Sequence, residues 1–223
     1  MINGFFTNFN LPPPEKKLVG NYKIPKLEGN KKIPVCVDLG SAQGMFPLKN
    51  HEIFEKIYCF EGCYPNFLKT VENITKSNLS HKVAAFNFCV GSYENESDRI
   101  VDLTFDNTGR PYGNSFTRPQ KDSNCHHRSI KVNLADIFKI INEDTINYLK
   151  CDIEGSEHDL LFTNNLSKID VISIELHSWV IGVKKIEELI QHIINQGFSV
   201  IDIQRNGKEM TFLNGKPSFE MVW

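Results

Sequence analysis

The chain has 223 residues, 40% of them hydrophobic and 23% charged, the balance of an ordinary globular protein with room for one substantial core. A net charge of -2 predicts no strongly electropositive surface, which counts against nucleic acid as the main partner without excluding a small local basic patch. No apolar run approaches the ~20 residues of a membrane span, and Met1 to Phe6 lacks the basic and apolar regions of a signal peptide, so the expected location is cytoplasmic.

Residues 1–30 read as an N-terminal arm. Pro12, Pro13, Pro14 and Pro25 break regular structure there, and Gly20, Gly29 and Asn30 add turns. Phe5, Phe6 and Phe9 could pin the arm to the body or to a second subunit of a homo-oligomer. Residues 31–223 read as one domain in which strands and helices alternate. Val35 to Leu39 is an apolar strand, and residues 45–55 suit a helix that tolerates Pro47 near its start. Lys56 to Glu61 is a second strand. Asn66 to Ser77 suits a helix with Phe67, Leu68, Val71 and Ile74 on its inner face. Val83 to Val90 reads as a third strand. Residues 92–129 are polar, with a strand at Ile100 to Phe105, and the length of this insertion suits a lid or binding loop.

Alternation then resumes. Strands are expected at Ser129 to Leu134, Ile146 to Ile153 and Val171 to Leu176, with helices at Ala135 to Ile141, His158 to Thr163 and Lys184 to Asn195. The last helix carries Ile186, Leu189, Ile190 and Ile193 on one side, and Gly197 follows as a cap. Phe198 to Ile203 and Met210 to Leu213 form a hairpin through Arg205 to Lys208, which Phe219 to Trp223 could extend. Such a pattern gives an α/β fold: a mostly parallel sheet with helices on both faces and an antiparallel hairpin at its end. Cys36, Cys59, Cys89 and Cys151 lie inside apolar runs and read as buried free thiols.

Three groups of residues carry chemistry. Asp38-Leu39-Gly40-Ser41-Ala42-Gln43-Gly44 leaves the first strand, where open α/β sheets bind ligands. Gly40 and Gly44 let the backbone turn and approach a ligand. Glu61 ends the next strand 23 residues after Asp38, and a carboxylate there can accept from both hydroxyls of a ribose. The aspartate at position 38 departs from the G-x-G-x-x-G dinucleotide pattern and favours a methyl donor over a nicotinamide. Lys150, Asp152 and Glu154 share one face of a strand and its end; a salt-bridged strand end capping the next helix is the structural alternative. Glu175 and His177 share a face of their own strand.

In this order the motifs resemble the FkbM-type methyltransferases. That pattern has a D-x-G loop, a strand ending F-E-P, an A-V-G, a K-x-D-x-E-G-x-E and an I-E-x-H. It is met here by Asp38 to Gly44, Phe60-Glu61-Gly62, Val90-Gly91, Lys150 to Glu157 and Ile174 to His177. Gly62 stands where the family has Pro, and Cys89 where Ala is common. Gly113-Asn114-Ser115 looks like the remnant of a donor-side segment. The resemblance implies a Rossmann-like class I methyltransferase fold with S-adenosylmethionine as cofactor. Asp38, Gly40, Ser41, Ala42, Gly44, Glu61, Gly62, Val90 and Asp152 would bind the donor. It further implies O-methylation, with a small-molecule or carbohydrate hydroxyl as the acceptor. Asp152, His177, Lys150 and Glu175 would be catalytic, His177 as general base oriented by Glu175 or Asp152. A divalent metal on Asp152, Glu175 and His177 is the less favoured route. A silent nucleoside-binding module and an RNA methyltransferase remain as alternatives.

Other residues are open to two readings. Cys125-His126-His127 could be half of a metal site or part of a polar loop. Cys59 and Cys63 lie near the donor loop. Arg99, Arg110, Arg118, Lys121 and Arg128 could grip an anionic acceptor or form a solvated face.

Overall fold

The computed structural model describes residues 22–104 and 126–221. Strand β1 (Ile33–Leu39) runs through the centre of the molecule. Its Pro34 lacks an N–H, and the pairing registers with both neighbours give this residue no partner. After β1 the chain forms α1 (Met45–Asn50), β2 (Phe54–Phe60), α2 (Tyr64–Lys76), β3 (Val83–Phe86) and β4 (Cys89–Val90). Next come β5 (Ile100–Thr104), β6 (His126–Val132), α3 (Leu134–Ile141), β7 (Ile146–Cys151) and α4 (Glu157–Phe162). The chain ends in β8 (Ile169–Glu175), α5 (Ser178–Ile181), α6 (Val183–Asn195), β9 (Phe198–Gln204) and β10 (Glu209–Asn214).

Seven strands form one sheet in the order β3-β2-β1-β7-β8-β10-β9. All neighbours are parallel except β10, which runs antiparallel to both β8 and β9. The chain moves outward from β1 to β3 and then returns to the other side of β1 with β7. The strand order therefore reverses between β1 and β7, and a crevice opens at their carboxyl ends. Every residue of β7 and β8 is buried, as a strand covered on both faces requires. Two apolar clusters fill the space between sheet and helices, one around Leu149, Ile172 and Phe212 and the other around Phe54, Ile57 and Tyr148.

The structure departs from the sequence pattern in four places. The expected strand from Val83 to Val90 breaks at Asn87, whose side chain donates to the carbonyls of Glu61 and Gly62. Beyond it, β4 joins a second sheet of order β4-β6-β5. The two ends of the polar insertion thus pair with each other, from Ile100 opposite Ile130 to Thr104 opposite His126. Helix α2 is also rolled about its axis. Asn66, Thr70 and Ile74 face inward, while Leu68 is 47% exposed and Val71 39% exposed. The first helix stops at Asn50, short of the expected residue 55. Finally, no strand forms at Phe219 to Met221; Phe219 and Met221 pack on the second apolar cluster instead.

From the arm, Tyr22, Ile24 and Leu27 pack on that same cluster. Phe5, Phe6, Phe9 and the three consecutive prolines lie outside the described residues, as do Arg110, Arg118, Lys121, Cys125 and Gly113-Asn114-Ser115. Among the described residues, no helix is long and apolar enough to cross a membrane.

Candidate active site

The loop from Gly40 to Gly44 follows β1. Gly40 and Ser41 donate their amides to the carbonyl of Phe60, and Gly44 donates to that of Ser41. Gly40 adopts φ 74°. A Cβ at that position would fall 1.8 Å from the carbonyl oxygen of Asp152, so only glycine lets the loop lie against the end of β7. Ala42 is left-handed at φ 50° and Gly44 at φ 76°. Helix α2 holds the outer side of this loop. Thr70 Oγ1 donates to the Ala42 carbonyl and Asn73 Nδ2 to that of Gln43, both at 2.8 Å. These bonds explain the roll of α2, because donors rather than apolar groups must face the loop.

Glu61 closes the loop from β2. Its Oε2 accepts from the Ala42 amide at 2.7 Å and its Oε1 from the Cys63 amide at 2.8 Å. Burial pushes its pKa up from 4.5 to about 7, against the pull of those amides and of Lys150, with Asp38 adding to the rise. Gly62 has ordinary φ, yet a Cβ there would meet Cys89 Sγ at 2.5 Å and Cys89 Cα at 3.1 Å. The two departures from the family pattern thus touch. The thiol occupies the space that a side chain at position 62 would need. Ser41 is buried within the loop, and Val90 is packed into the first apolar cluster.

Lys150 links this loop to the end of β7. Its ammonium donates to the Gly40 carbonyl at 2.9 Å and lies 3.0 Å from Asp38 Oδ1 and 3.7 Å from Asp152 Oδ2. Both Asp38 and Lys150 are buried. Burial alone would discharge the ammonium, but the carboxylates of Asp38 and Asp152 overcome it and hold the pKa above its ordinary value. Asp38 therefore faces Lys150, and Lys150 faces the loop. Tyr22, from the N-terminal arm, stacks over the ammonium with its ring centre 5.6 Å away and donates its hydroxyl to Asp152 Oδ2 at 3.1 Å.

Beyond β7 the chain turns through two left-handed residues, Glu154 at φ 53° and Gly155 at φ 108°. Strain at a non-glycine residue of this kind is held in place by its surroundings, and here Glu157 holds it. The fully buried Glu157 carboxylate accepts from the amides of Ile153 and Gly155 and lies 2.7 Å from His177 Nδ1. The other ring nitrogen, Nε2, faces Glu154 Oε2 at 3.4 Å and Asp152 Oδ1 at 3.7 Å. Burial would lower the pKa of His177. The carboxylates of Glu157, Asp152 and Glu154 outweigh it and raise the value to about 10, so the ring alone is an imidazolium at neutral pH. Glu175 reaches the same place from β8: one oxygen from each of Asp152 and Glu175 and one nitrogen of His177 lie within 4.8 Å of one another. Glu175 is also 3.4 Å from Arg205 of the terminal hairpin. Trp179 stands edge-on to the His177 ring at 4.9 Å and is 46% exposed.

The sequence thus marked Lys150, Asp152, Glu175 and His177, and the structure gathers them. It did not mark Tyr22, which is 130 residues from its partner, and it placed Glu157 only at a helix start. The final position of K-x-D-x-E-G-x-E was the available signal for Glu157. Outside this cluster, Arg99 pairs with Glu96 and Asp136, and Arg128 with Asp102. Cys36, Cys59, Cys63, Cys89 and Cys151 are buried free thiols. Burial raises the pKa of Cys36, Cys59 and Cys151, and pushes that of Cys89 to about 12, which leaves these four unreactive.

A parallel sheet that reverses between β1 and β7, a glycine loop at that point and an antiparallel last strand define a Rossmann-like class I methyltransferase fold. A methyltransferase FkbM domain model matches residues 52–200, more than half of the chain. The chain belongs to the FkbM methyltransferase family, and S-adenosylmethionine is the cofactor that membership implies.

Among solved structures, the fold is similar to that of methyltransferase FkbM from Methylobacillus flagellatus KT. The TM-score is 0.51 at 16% identity, covering 83% of this chain and 45% of that one. Ribosomal protein L11 methylase from Lactobacillus delbrueckii subsp. bulgaricus gives 0.47 at 12% identity, covering 83% and 70%. The N-terminal domain of human METTL16 gives 0.48 at 14% identity, covering 82% and 61%. The chain therefore spans less than half the length of the FkbM structure. Among curated proteins, no sequence matches it.

Proposed function

We propose that the chain is an S-adenosylmethionine-dependent O-methyltransferase acting on a hydroxyl of a small molecule or sugar. The observation that supports this most is the position of Asp152. Its backbone lies against Gly40 of the donor loop, and its side chain enters the cluster of Glu154, Glu175 and His177. A methyl group presented by the loop and an acceptor held by the cluster would share one crevice.

The donor's methyl is already activated by its sulfonium, so the protein must align and dehydrate the acceptor, which is worth ~7–11 kcal/mol at best. The hydroxyl oxygen attacks the methyl carbon, the carbon–sulfur bond breaks onto sulfur, and the hydroxyl proton passes to the cluster. His177 is fully buried, while the side chains of Asp152 and Glu154 keep about a fifth of their surface exposed. In this reading Asp152 meets the acceptor, and His177, held by Glu157, positions Asp152 from behind. Removing the proton in this way is worth ~10²–10⁴-fold.

Two measurements test the proposal. Calorimetry should find binding of S-adenosylmethionine and S-adenosylhomocysteine; binding of neither would end it. With binding in hand, mass spectrometry of monosaccharide, glycan and RNA mixtures should find methyl on hydroxyls of the sugars. Methylation of RNA alone would replace the acceptor assignment, and binding without turnover on any acceptor would favour a silent module.

A further inference from the structure

His177 Nε2 is a ring nitrogen aimed into the carboxylate cluster. It is buried and makes no hydrogen bond, while Nδ1 is fixed by Glu157 at 2.7 Å. A buried imidazole nitrogen that makes no hydrogen bond is costly unless something binds it. A carboxylate on the far nitrogen of a histidine is the arrangement that orients imidazoles toward metal ions. Nε2 points at Asp152 Oδ1 and Glu154 Oε2, at 3.7 and 3.4 Å, and Glu175 completes the group.

We infer that Asp152, Glu175 and His177 bind one divalent first-row cation, with Glu157 as the outer carboxylate that orients the histidine. The inference rests on the proposed acceptor site and adds to it the group that acidifies the hydroxyl. Ligands at about 2.1 Å from an octahedral ion sit about 3 Å apart when adjacent and about 4.2 Å when opposite. The observed set lies within 4.8 Å, so side-chain rotations of about 1–2 Å bring the three atoms onto one ion. Two carboxylates and one imidazole suit Mn²⁺ or Zn²⁺ better than Mg²⁺, which prefers oxygen alone. Three protein ligands leave coordination positions for a hydroxyl arriving past the partly exposed Asp152 and Glu154. The cation would polarise that hydroxyl and release its proton at neutral pH.

The test uses the full chain, stripped with chelator and dialysed. Mn²⁺, Zn²⁺ and Mg²⁺ are titrated separately, with calorimetry and the Mn²⁺ spin-resonance signal as readouts. One Mn²⁺ or Zn²⁺ per chain is expected. Affinity should fall at least tenfold in Glu175→Gln and His177→Ala and ~10–100-fold in Glu157→Gln, with far-UV dichroism showing that each variant is folded. Stripped protein that takes up none of the three ions at ~1 mM, a weak-binding bound, overturns the site. Unchanged affinity in folded Glu175→Gln and His177→Ala does the same. S-adenosylmethionine binding is followed in parallel. Methyl transfer undiminished in chelator would remove the metal and leave the proposed function standing. Loss of donor binding in fully stripped and in metal-loaded protein alike would remove the function without touching the metal result.

Discussion

Lowering the pH from 8 to 6 should weaken S-adenosylmethionine binding about tenfold, through one carboxylate. Burial raises Glu61 from 4.5 to about 7, and the facing groups that act on it are the amides of Cys63 and Ala42, Lys150 and Asp38. At pH 8 about nine-tenths of Glu61 is ionised, and at pH 6 about one-tenth. Only the carboxylate can accept from both ribose hydroxyls while still accepting the two backbone amides. The difference is ~1.4 kcal/mol, or tenfold in Kd. Near pH 6.5 the donor should also displace a proton, visible as a dependence of the calorimetric heat on buffer ionisation enthalpy.

Stability without donor runs the other way. The folded chain keeps a proton on Glu61 that the unfolded chain has lost, so stability falls as pH rises from 4.5 to about 7, by up to ~3 kcal/mol from this group. Glu61→Gln keeps the shape and removes the charge. Donor affinity should drop by ~1.5–3 kcal/mol and lose its pH dependence. A wild-type Kd that is flat between pH 6 and 8, together with an unchanged Kd in Glu61→Gln, would refute the reasoning.

Three further outcomes follow from the geometry. His177→Ala and Asp152→Ala should each lower turnover by ~10² or more while changing donor affinity far less, by calorimetry and product assay; near-normal rates in both would displace the acceptor site from this cluster. Lys150→Met leaves Asp38 as an unpaired buried carboxylate and should cost ~3–5 kcal/mol in urea unfolding, whereas a loss under 1 kcal/mol would mean that the ion pair with Asp38 contributes little. Gly62→Ala drives a Cβ into Cys89 and should cost ~1–3 kcal/mol. Adding Cys89→Ala should return ~0.5 kcal/mol or more of it, and strictly additive losses would separate the two positions.

The central sheet was legible because its strands are short apolar runs between polar turns, and buried parallel strands leave few other readings. The terminal hairpin was legible from Arg205 to Lys208, where Asn206 and Gly207 do adopt positive φ. Helix α2 was placed correctly but rolled wrongly. Periodicity favours Leu68 and Val71 as its inner face, while the loop carbonyls of Ala42 and Gln43 need Thr70 and Asn73. No local pattern records that need. The break at Asn87 was hidden in the same way, since the donation to Glu61 and Gly62 is a contact across 25 or 26 residues. Of the site, the residues on strand ends could be read from spacing, because strand order brings them together. Tyr22 and the Glu157–His177 contact depend on where an arm and a helix fold back, which spacing does not carry.

Left-handed residues cluster on both sides of Lys150. Gly40, Ala42 and Gly44 shape the loop after β1, and Glu154 and Gly155 shape the turn after β7. Strained turns persist where neighbours over-determine them, and the two turns share a neighbour. Lys150 bonds the Gly40 carbonyl and faces Asp38 on one side and Asp152 on the other. Asp152 in turn faces His177, which Glu157 ties to the second turn. The loop after β1 and the cluster at the ends of β7 and β8 are therefore one electrostatic unit, and displacing either end shifts charge at the other. That coupling explains why the segment from Lys150 to Glu157 is more specific than the glycine loop. Glycines satisfy one turn locally, but lysine, aspartate and the final glutamate must each match a partner on a different element.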